Sequence, residues 1–347
     1  MLSLQLYGPE DIRLTEEEIP RIAQDELLIR VRTAAVCGTD VRSWRYGKDF
    51  VDAAHPMTLG HEICGTVEQT GAQVSGFKKG MRVAFVPCSG CGVCDLCTHG
   101  NTHQCAQLIA RGINARGLMS EYVVASAKEI AQGNIFAAPE ELSDEEITLN
   151  EPLSCVYNGF LNLRVEPGDT ALVIGAGPIG VMHAQLLHMA GAEVFVAEKL
   201  QHRAQLAQKI APYIMLAPAD ADSLTAFVTE KTQGRGVDVG ITACPDPAAQ
   251  QEILPLMAHN GRVHFFGGVP KELQPVALDT NLIHYKALYV TGSTCSNVWE
   301  FRKTLEFVRR GAVNLRDMVT ARFDKQDAVS AFEHAKNCVG LKNIILF

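Results

Sequence analysis

The stretch TALVIGAGPIGVMHAQLLHMAGAEVFVAEK, from Thr170 to Lys199, leaves its part of the chain few ways to fold. Ala171–Ile174 is a short apolar run, as expected of a strand buried on both faces. Gly175, Gly177 and Gly180 follow as G-x-G-x-x-G. In such a turn the first glycine permits the tight bend. The second lets the backbone approach a pyrophosphate, and the third lets a helix pack close to the strand. Ile179, Met182, Leu186 and Met189 then recur at helical spacing, so a helix starts in the turn and offers its free N–H groups to phosphate. Gly175, Gly177, Pro178, Ile179 and Gly180 are therefore candidate cofactor contacts. A second run, Val194–Ala197, ends at Glu198, close to the spacing at which a carboxylate takes the ribose hydroxyls. A carboxylate there repels a 2′-phosphate, which favours NAD over NADP. Lys199 and Arg203 are nearby cations that leave room for NADP, and Glu198 taken alone reads as a solvated strand end.

Further runs at Tyr213–Leu216, Val237–Thr242, Arg262–Phe266 and Leu288–Thr291 continue the pattern. Strands alternating with helical segments predict an α/β, doubly wound parallel sheet. The chain before it differs. LLIRVRTAAVCG, GTVEQTG, KKGMRVAFVPC and SEYVVAS are short β-like runs bounded by turn residues. At 347 residues the length suggests two domains. The expected division is 151–291 for the dinucleotide-binding domain and 1–150 with 292–347 for a mostly-β domain. The hinges then fall near Asn150–Pro152 and Gly292. The tail carries one helix, with Phe301, Leu305 and Val308 on a single face, and a closing strand KNIILF.

Five of the 11 cysteines crowd into CSGCGVCDLCTHGNTHQC, from Cys88 to Cys105. Cys91, Cys94, Cys97 and Cys105 read C-x2-C-x2-C-x7-C, a spacing that lets four thiolates converge on one zinc and close its coordination shell. Cys88 continues the three-residue step, so Cys88, Cys91, Cys94 and Cys97 form an alternative quartet. An iron–sulfur cluster is compatible with the same ligands, and a disulfide pair with free thiols is the other alternative. The spacing signals metal and carries no information about catalysis.

The net charge is −8, and no basic block appears, which argues against a nucleic-acid partner. The start, MLSLQLYGPEDIRL, lacks the basic and apolar regions of a signal peptide. No run of about 20 apolar residues would span a membrane. The expected compartment is the reducing cytoplasm, where clustered cysteines bind metal more often than they form disulfides.

The motifs occur in the order Cys37-Gly38-Thr39-Asp40, Gly60-His61-Glu62, the cysteine lobe, Glu151-Pro152-Leu153-Ser154, then the glycine turn. This order resembles the zinc-dependent medium-chain dehydrogenase/reductase superfamily over essentially the whole chain, and E-P-L-S is similar to its polyol (sorbitol dehydrogenase-like) branch. The resemblance implies a GroES-like catalytic domain and assigns the structural zinc to Cys91, Cys94, Cys97 and Cys105. It also implies a catalytic zinc held by Cys37, His61 and a carboxylate from Glu62 or Glu151, with Thr39, Glu62 or Glu151 moving the proton. Taken alone, Cys37 reads as a buried thiol, His61 as a satisfied core or surface histidine, Glu151 as a solvated helix-start residue and Thr39 as a turn-capping hydroxyl.

Arg42 stands where many relatives carry a histidine, and ARGLMSEY departs from the paired glycines that relatives show before Glu-Tyr. Arg42, Arg45, Lys48, Arg111 and Arg116 thus fall in loops that line the substrate cleft in relatives. Arginine forks suit phosphate or carboxylate, so a phosphorylated or acidic sugar is one expectation, and solvated surface charge is the other. The resemblance implies a small polyol or sugar-alcohol substrate, with L-threonine as the competing one. A zinc-free quinone reductase lacks these ligands, and a non-catalytic NAD- and zinc-binding sensor or scaffold is the reading from another class. Relatives are often homodimers or homotetramers joined through edge strands, here near Leu288–Thr294.

Overall fold

Two patterns of apolar residues build two kinds of sheet in the computed structural model, which describes residues 1–347. One unit comprises Met1–Ser154, Cys295–Arg310 and Leu315–Phe347; the other comprises Cys155–Thr294 and Gly311–Asn314.

In the first unit, strand Leu27–Ala35 is the organiser. Its apolar residues are buried, while Arg30 and Arg32 point outward. It pairs antiparallel with Glu62–Thr70, with Tyr122–Ala125 and with the carboxy-terminal strand Lys342–Leu346. The tail therefore closes the sheet that begins near the amino terminus. Arg82–Phe85, Ile135–Ala137 and Val319–Asp324 complete this seven-stranded sheet. A smaller sheet of Leu2–Gly8, Asp11–Glu16 and Met57–Thr58 contributes Leu4 and Leu6 to the same core as Ile29, Phe85 and Phe332. Helix Val298–Arg309 buries Phe301, Leu305 and Val308, as their spacing predicts, and is capped by Asn297 and Glu300.

The second unit holds six strands, all parallel. Their spatial order is Met215–Ala217, Glu193–Ala197, Thr170–Ile174, Val237–Thr242, Met257–Phe265 and Tyr289–Gly292. Counted along the chain this is 3-2-1-4-5-6, the doubly wound arrangement of dinucleotide-binding sheets. Ala171, Leu172 and Val173 on the central strand are fully buried, which explains their unbroken apolar run. The strand expected at Arg262–Phe266 begins earlier, at Met257, because a bulge opposite Val237–Val239 lets it resume pairing after an irregular stretch. Two histidines sit inside this unit. His183 is fully buried and neither ring nitrogen has a hydrogen-bond partner. His264 lies between the Thr291 and Ser293 hydroxyls at 2.9 and 3.1 Å.

The first boundary differs in character from the expected one. No linker occurs at Asn150–Pro152; helix Asp144–Leu163 runs straight through, and the division falls at Ser154 within it. Proline costs a helix one backbone hydrogen bond. Here Ile147, Leu149, Leu153 and Val156 are fully buried along the helix, and that packing offsets the loss. The chain returns to the first unit at Cys295, a few residues after Gly292.

Candidate metal and dinucleotide sites

In the cysteine lobe the Sγ atoms of Cys91, Cys94, Cys97 and Cys105 all lie within 4.8 Å of one another. Cys91–Cys97 and Cys94–Cys105 are 3.9 and 3.8 Å apart. A zinc–sulfur distance of about 2.3 Å places tetrahedral thiolates about 3.8 Å apart, so the quartet fits zinc. Backbone N–H groups stabilise the thiolate form: Cys94 donates to Cys91 Sγ, and Gln107 to Cys105 Sγ, both at 3.3 Å. The backbone N–H groups of Val93 and Cys94 pull the Cys91 thiol down to about 6. Cys88 is outside the group; it lies in a short strand that pairs Cys88 with Ala110. The convergent thiols are those of the quartet without Cys88.

The second group forms at one end of the large sheet. Ala35 pairs with Glu62 on one side and Ile344 on the other. Two residues beyond Ala35 is Cys37, one before Glu62 is His61, and two before Ile344 is Lys342. Antiparallel register thus delivers residues from three distant segments to one place. Cys37, His61 and Glu62 present ligand atoms within 4.8 Å of one another. Sulfur, imidazole and carboxylate together are a zinc donor set, and three protein ligands leave a position open. Glu151 stands outside this group but is also buried, 7% exposed, on helix Asp144–Leu163. Burial, reinforced by Glu62 and opposed by His61, pushes its carboxyl up to about 7.

Two residues of this site carried no role in the sequence reading. Asp40 is fully buried. It accepts the Cys37 N–H at 3.1 Å and the Gly60 N–H at 3.2 Å, and its Oδ1 lies 3.6 Å from His61 Nδ1. It therefore ties the two ligand loops together and sets a carboxylate beside the imidazole, where carboxylates behind metal-bound histidines stand. Burial opposes charging of His61, but Asp40 and Cys37 outweigh it and raise the imidazole well above the ordinary histidine range. Lys342 is 3% exposed and donates to both Glu62 oxygens, at 2.8 and 2.5 Å, and to Val36 O at 3.1 Å. Asp40 was legible as the acidic end of C-G-T-D. The only signal for Lys342 was a lone cation heading the apolar run KNIILF.

Thr39 is half-buried on helix Gly38–Tyr46, and its carbonyl accepts from Ser43 Oγ. Arg42, three residues on and so on the same helical face, is exposed. Arg45 stacks on the Tyr46 ring at 5.2 Å. The remaining cations have partners in the structure. Arg111 makes a two-pronged bond to the buried Glu129 carboxylate at 2.8 and 2.7 Å. Arg116 does the same with Glu17 at 3.0 and 2.5 Å. Lys48 Nζ donates to the Ile113 carbonyl at 2.8 Å. Each of these cations is paired with an acceptor inside its own unit.

In the second unit, Gly175 has φ +103°, and a side chain at Gly180 would collide with the Gly175 carbonyl at 1.8 Å. Both glycines are required by the turn. Helix Pro178–Met189 starts from it with proline at its first position, and Ile179 is in its first turn. Glu198 accepts N–H bonds from Ala176 at 2.6 Å and Leu200 at 2.8 Å, which fixes its carboxylate beside the glycine turn. A carbon placed on Gly177 would come within 3.6 Å of an Arg203 guanidinium nitrogen, so Arg203 also reaches the turn. Bare backbone, a helix start, a fixed carboxylate and a cation form a cradle suited to a dinucleotide.

Comparison with known proteins agrees with both halves. Residues 23–135 match the family model of the alcohol dehydrogenase GroES-like domain, and residues 178–310 match that of zinc-binding dehydrogenases. The L-threonine 3-dehydrogenase of Photorhabdus laumondii is 30% identical over 332 residues, which span 95% of this chain and 94% of that protein. A protein of Escherichia coli CFT073 described as a short chain alcohol dehydrogenase (rspB), solved with NADH, superposes with a TM-score of 0.90 at 26% identity, covering 100% and 99% of the two chains. A zinc-binding dehydrogenase of Sinorhizobium meliloti 1021 bound to NADP gives 0.87 at 25% identity, with coverage of 100% and 99%. No helix is long and apolar enough to cross a membrane. With a GroES-like unit, a doubly wound unit and two convergent zinc donor sets in one chain, the protein belongs to the zinc-binding alcohol dehydrogenases of the medium-chain dehydrogenase/reductase superfamily.

Proposed function

We propose that the protein oxidises a secondary hydroxyl of a small polyol or sugar alcohol and passes the hydride to NAD. The observation that carries this reading is the convergence of half-buried Cys37 with buried His61 and Glu62, with Glu151 buried in the same unit. Zinc bound there supplies a Lewis acid that favours loss of the hydroxyl proton, and NAD supplies the acceptor. Cys37, His61 and Glu62 hold the metal. Asp40 keeps the imidazole turned correctly, and Lys342 balances the Glu62 charge. Glu151 and the Thr39 hydroxyl are the groups that hold and pass on the proton. Glu198 receives the ribose hydroxyls, while Gly175, Gly177, Pro178, Ile179 and Gly180 line the pyrophosphate and Arg203 flanks it.

Glu151 at the head of E-P-L-S supports the polyol substrate. Arg42, exposed one helical step from Thr39, supports an acidic or phosphorylated member of that class. L-Threonine is the second reading, favoured by 30% identity to L-threonine 3-dehydrogenases along 95% of the chain. The exposed edge strand Tyr289–Gly292, with Tyr289 at 59% and Val290 at 37% exposure, suits pairing with a second copy, so the working form is a homodimer or a homotetramer built on it. The free thiols fit a reducing cytoplasm.

The test is nicotinamide reduction by zinc-loaded protein across free polyols, their phosphates, sugar acids and L-threonine, each with NAD and NADP. Turnover on a polyol or its phosphate supports the reading. Turnover confined to L-threonine replaces it with the second one, and no turnover on any hydroxyl compound contradicts both.

A further inference from the structure

Glu193–Ala197 and Val237–Thr242 flank the central strand of the second unit, and Ile174 pairs with Ala197 on one side and Thr242 on the other. Residues that follow these strands therefore emerge side by side at the carboxyl edge of the sheet. Glu198 and Lys199 emerge from one, and Ala243, Cys244 and Asp246 from the other. Lys199 Nζ pairs with Asp246 Oδ2 at 2.9 Å. The Lys199 ammonium is thus a cation next in sequence to the ribose-binding carboxylate, and it is already claimed. Asp246 is itself fixed, because its Oδ1 caps helix Pro247–Glu252 by accepting the Ala248 N–H at 3.0 Å.

We propose that Asp246 is a specificity residue that secures the preference for NAD by neutralising Lys199; this deepens, and rests on, the dinucleotide reading above. A 2′-phosphate carries close to two negative charges and is accommodated by a cation beside the ribose site. Lys199 stands at that position in the chain. With Asp246 as its partner, a 2′-phosphate meets a neutralised pair beside the Glu198 carboxylate. NAD has no charge at the 2′ position and is indifferent to the pair. Glu198 alone would disfavour NADP through one carboxylate, whereas the Lys199–Asp246 pair also removes one of the two nearby cations that would compensate it, Arg203 being the other.

Asp246→Asn is the informative variant, since asparagine caps helices as well as aspartate does and leaves the short helix in place. Binding of NAD and NADP, and of the fragments 5′-AMP and 2′-AMP, is measured by calorimetry on wild type, Asp246→Asn, Lys199→Gln and the double variant. Asp246→Asn is expected to tighten NADP and 2′-AMP by about three- to tenfold, the scale of an exposed charge pair acting on a doubly charged group. NAD and 5′-AMP stay within about twofold, and the gain disappears in the double variant and at roughly 0.5 M salt. An unchanged NADP affinity, an equal tightening of both cofactors, or a gain that survives Lys199→Gln overturns the proposal while leaving the dinucleotide site standing. A wild type that binds neither cofactor overturns the dinucleotide reading and the proposal with it.

Discussion

Replacing Lys342 by methionine isolates the electrostatics of the metal end of the sheet. The side chains of Lys342 and Glu62 are 3% and 0% exposed, and the ammonium makes two bonds to the carboxylate and one to Val36 O. Methionine fills a similar volume but leaves Glu62 a buried charge without its partner. Removing one member of a buried pair costs about 3–5 kcal/mol. That cost belongs to the first unit, and both tryptophans, Trp44 and Trp299, lie there. Urea unfolding followed by tryptophan fluorescence therefore reads the affected unit alone. With chelator present, Lys342→Met should lose about 3–5 kcal/mol. With zinc present the difference should shrink, because the cation takes over part of the neutralisation of Glu62. The double variant Lys342→Met/Glu62→Gln should recover at least about 1.5 kcal/mol, since neither buried charge remains. A single variant within about 1 kcal/mol of wild type, together with additive double-variant behaviour, would refute the reasoning.

Three further outcomes follow from the same structure. Cys97→Ser should remove one zinc per chain and lower the thermal midpoint, while the zinc on Cys37, His61 and Glu62 stays; metal analysis beside a melting curve checks both. Acid should weaken the second unit through its histidines. Burial pushes His264 down to about 4 and His183 well below the ordinary value. Both remain neutral when folded and take up protons when unfolded, so stability is full above about pH 6.5 and falls between there and pH 4. For His264 the loss totals about 3 kcal/mol over that window, and His183→Met should lower the slope by about 1.4 kcal/mol per pH unit, read from urea melts across pH. If the proposed edge-strand oligomer forms, light scattering should show wild type as an oligomer and Val290→Lys as a monomer, because a charge on an edge strand blocks pairing with a second copy; a monomeric wild type, or an unchanged mass in the variant, would contradict that assembly.

What the sequence made legible was local. The glycine turn could be read because its physics acts within a few residues: Gly175 needs a positive φ, and Gly180 needs the absence of a side chain. The buried runs of the parallel sheet were readable for the same reason, since strands covered on both faces carry unbroken apolar stretches. Cys91, Cys94, Cys97 and Cys105 were visible as metal ligands, but spacing alone did not exclude Cys88; the family resemblance did, and the four thiols that converge in the structure leave Cys88 out. Partners far apart in the chain were invisible. Lys342 meets Glu62 across 280 positions, and Arg116 meets Glu17 across 99. No local pattern encodes such meetings; they follow from sheet register and from the folding of loops. The same limit hid the continuity of helix Asp144–Leu163, where Pro152 reads as a break until the buried face around it is seen.

The most direct test is the zinc content of purified wild type and His61→Ala, read alongside NAD reduction on the best substrate of the panel. The account predicts two zinc ions per wild-type chain, one in His61→Ala, and loss of turnover with the fold intact. Wild-type turnover in His61→Ala, or two ions retained there, would contradict the assignment of Cys37, His61 and Glu62 as the catalytic metal site.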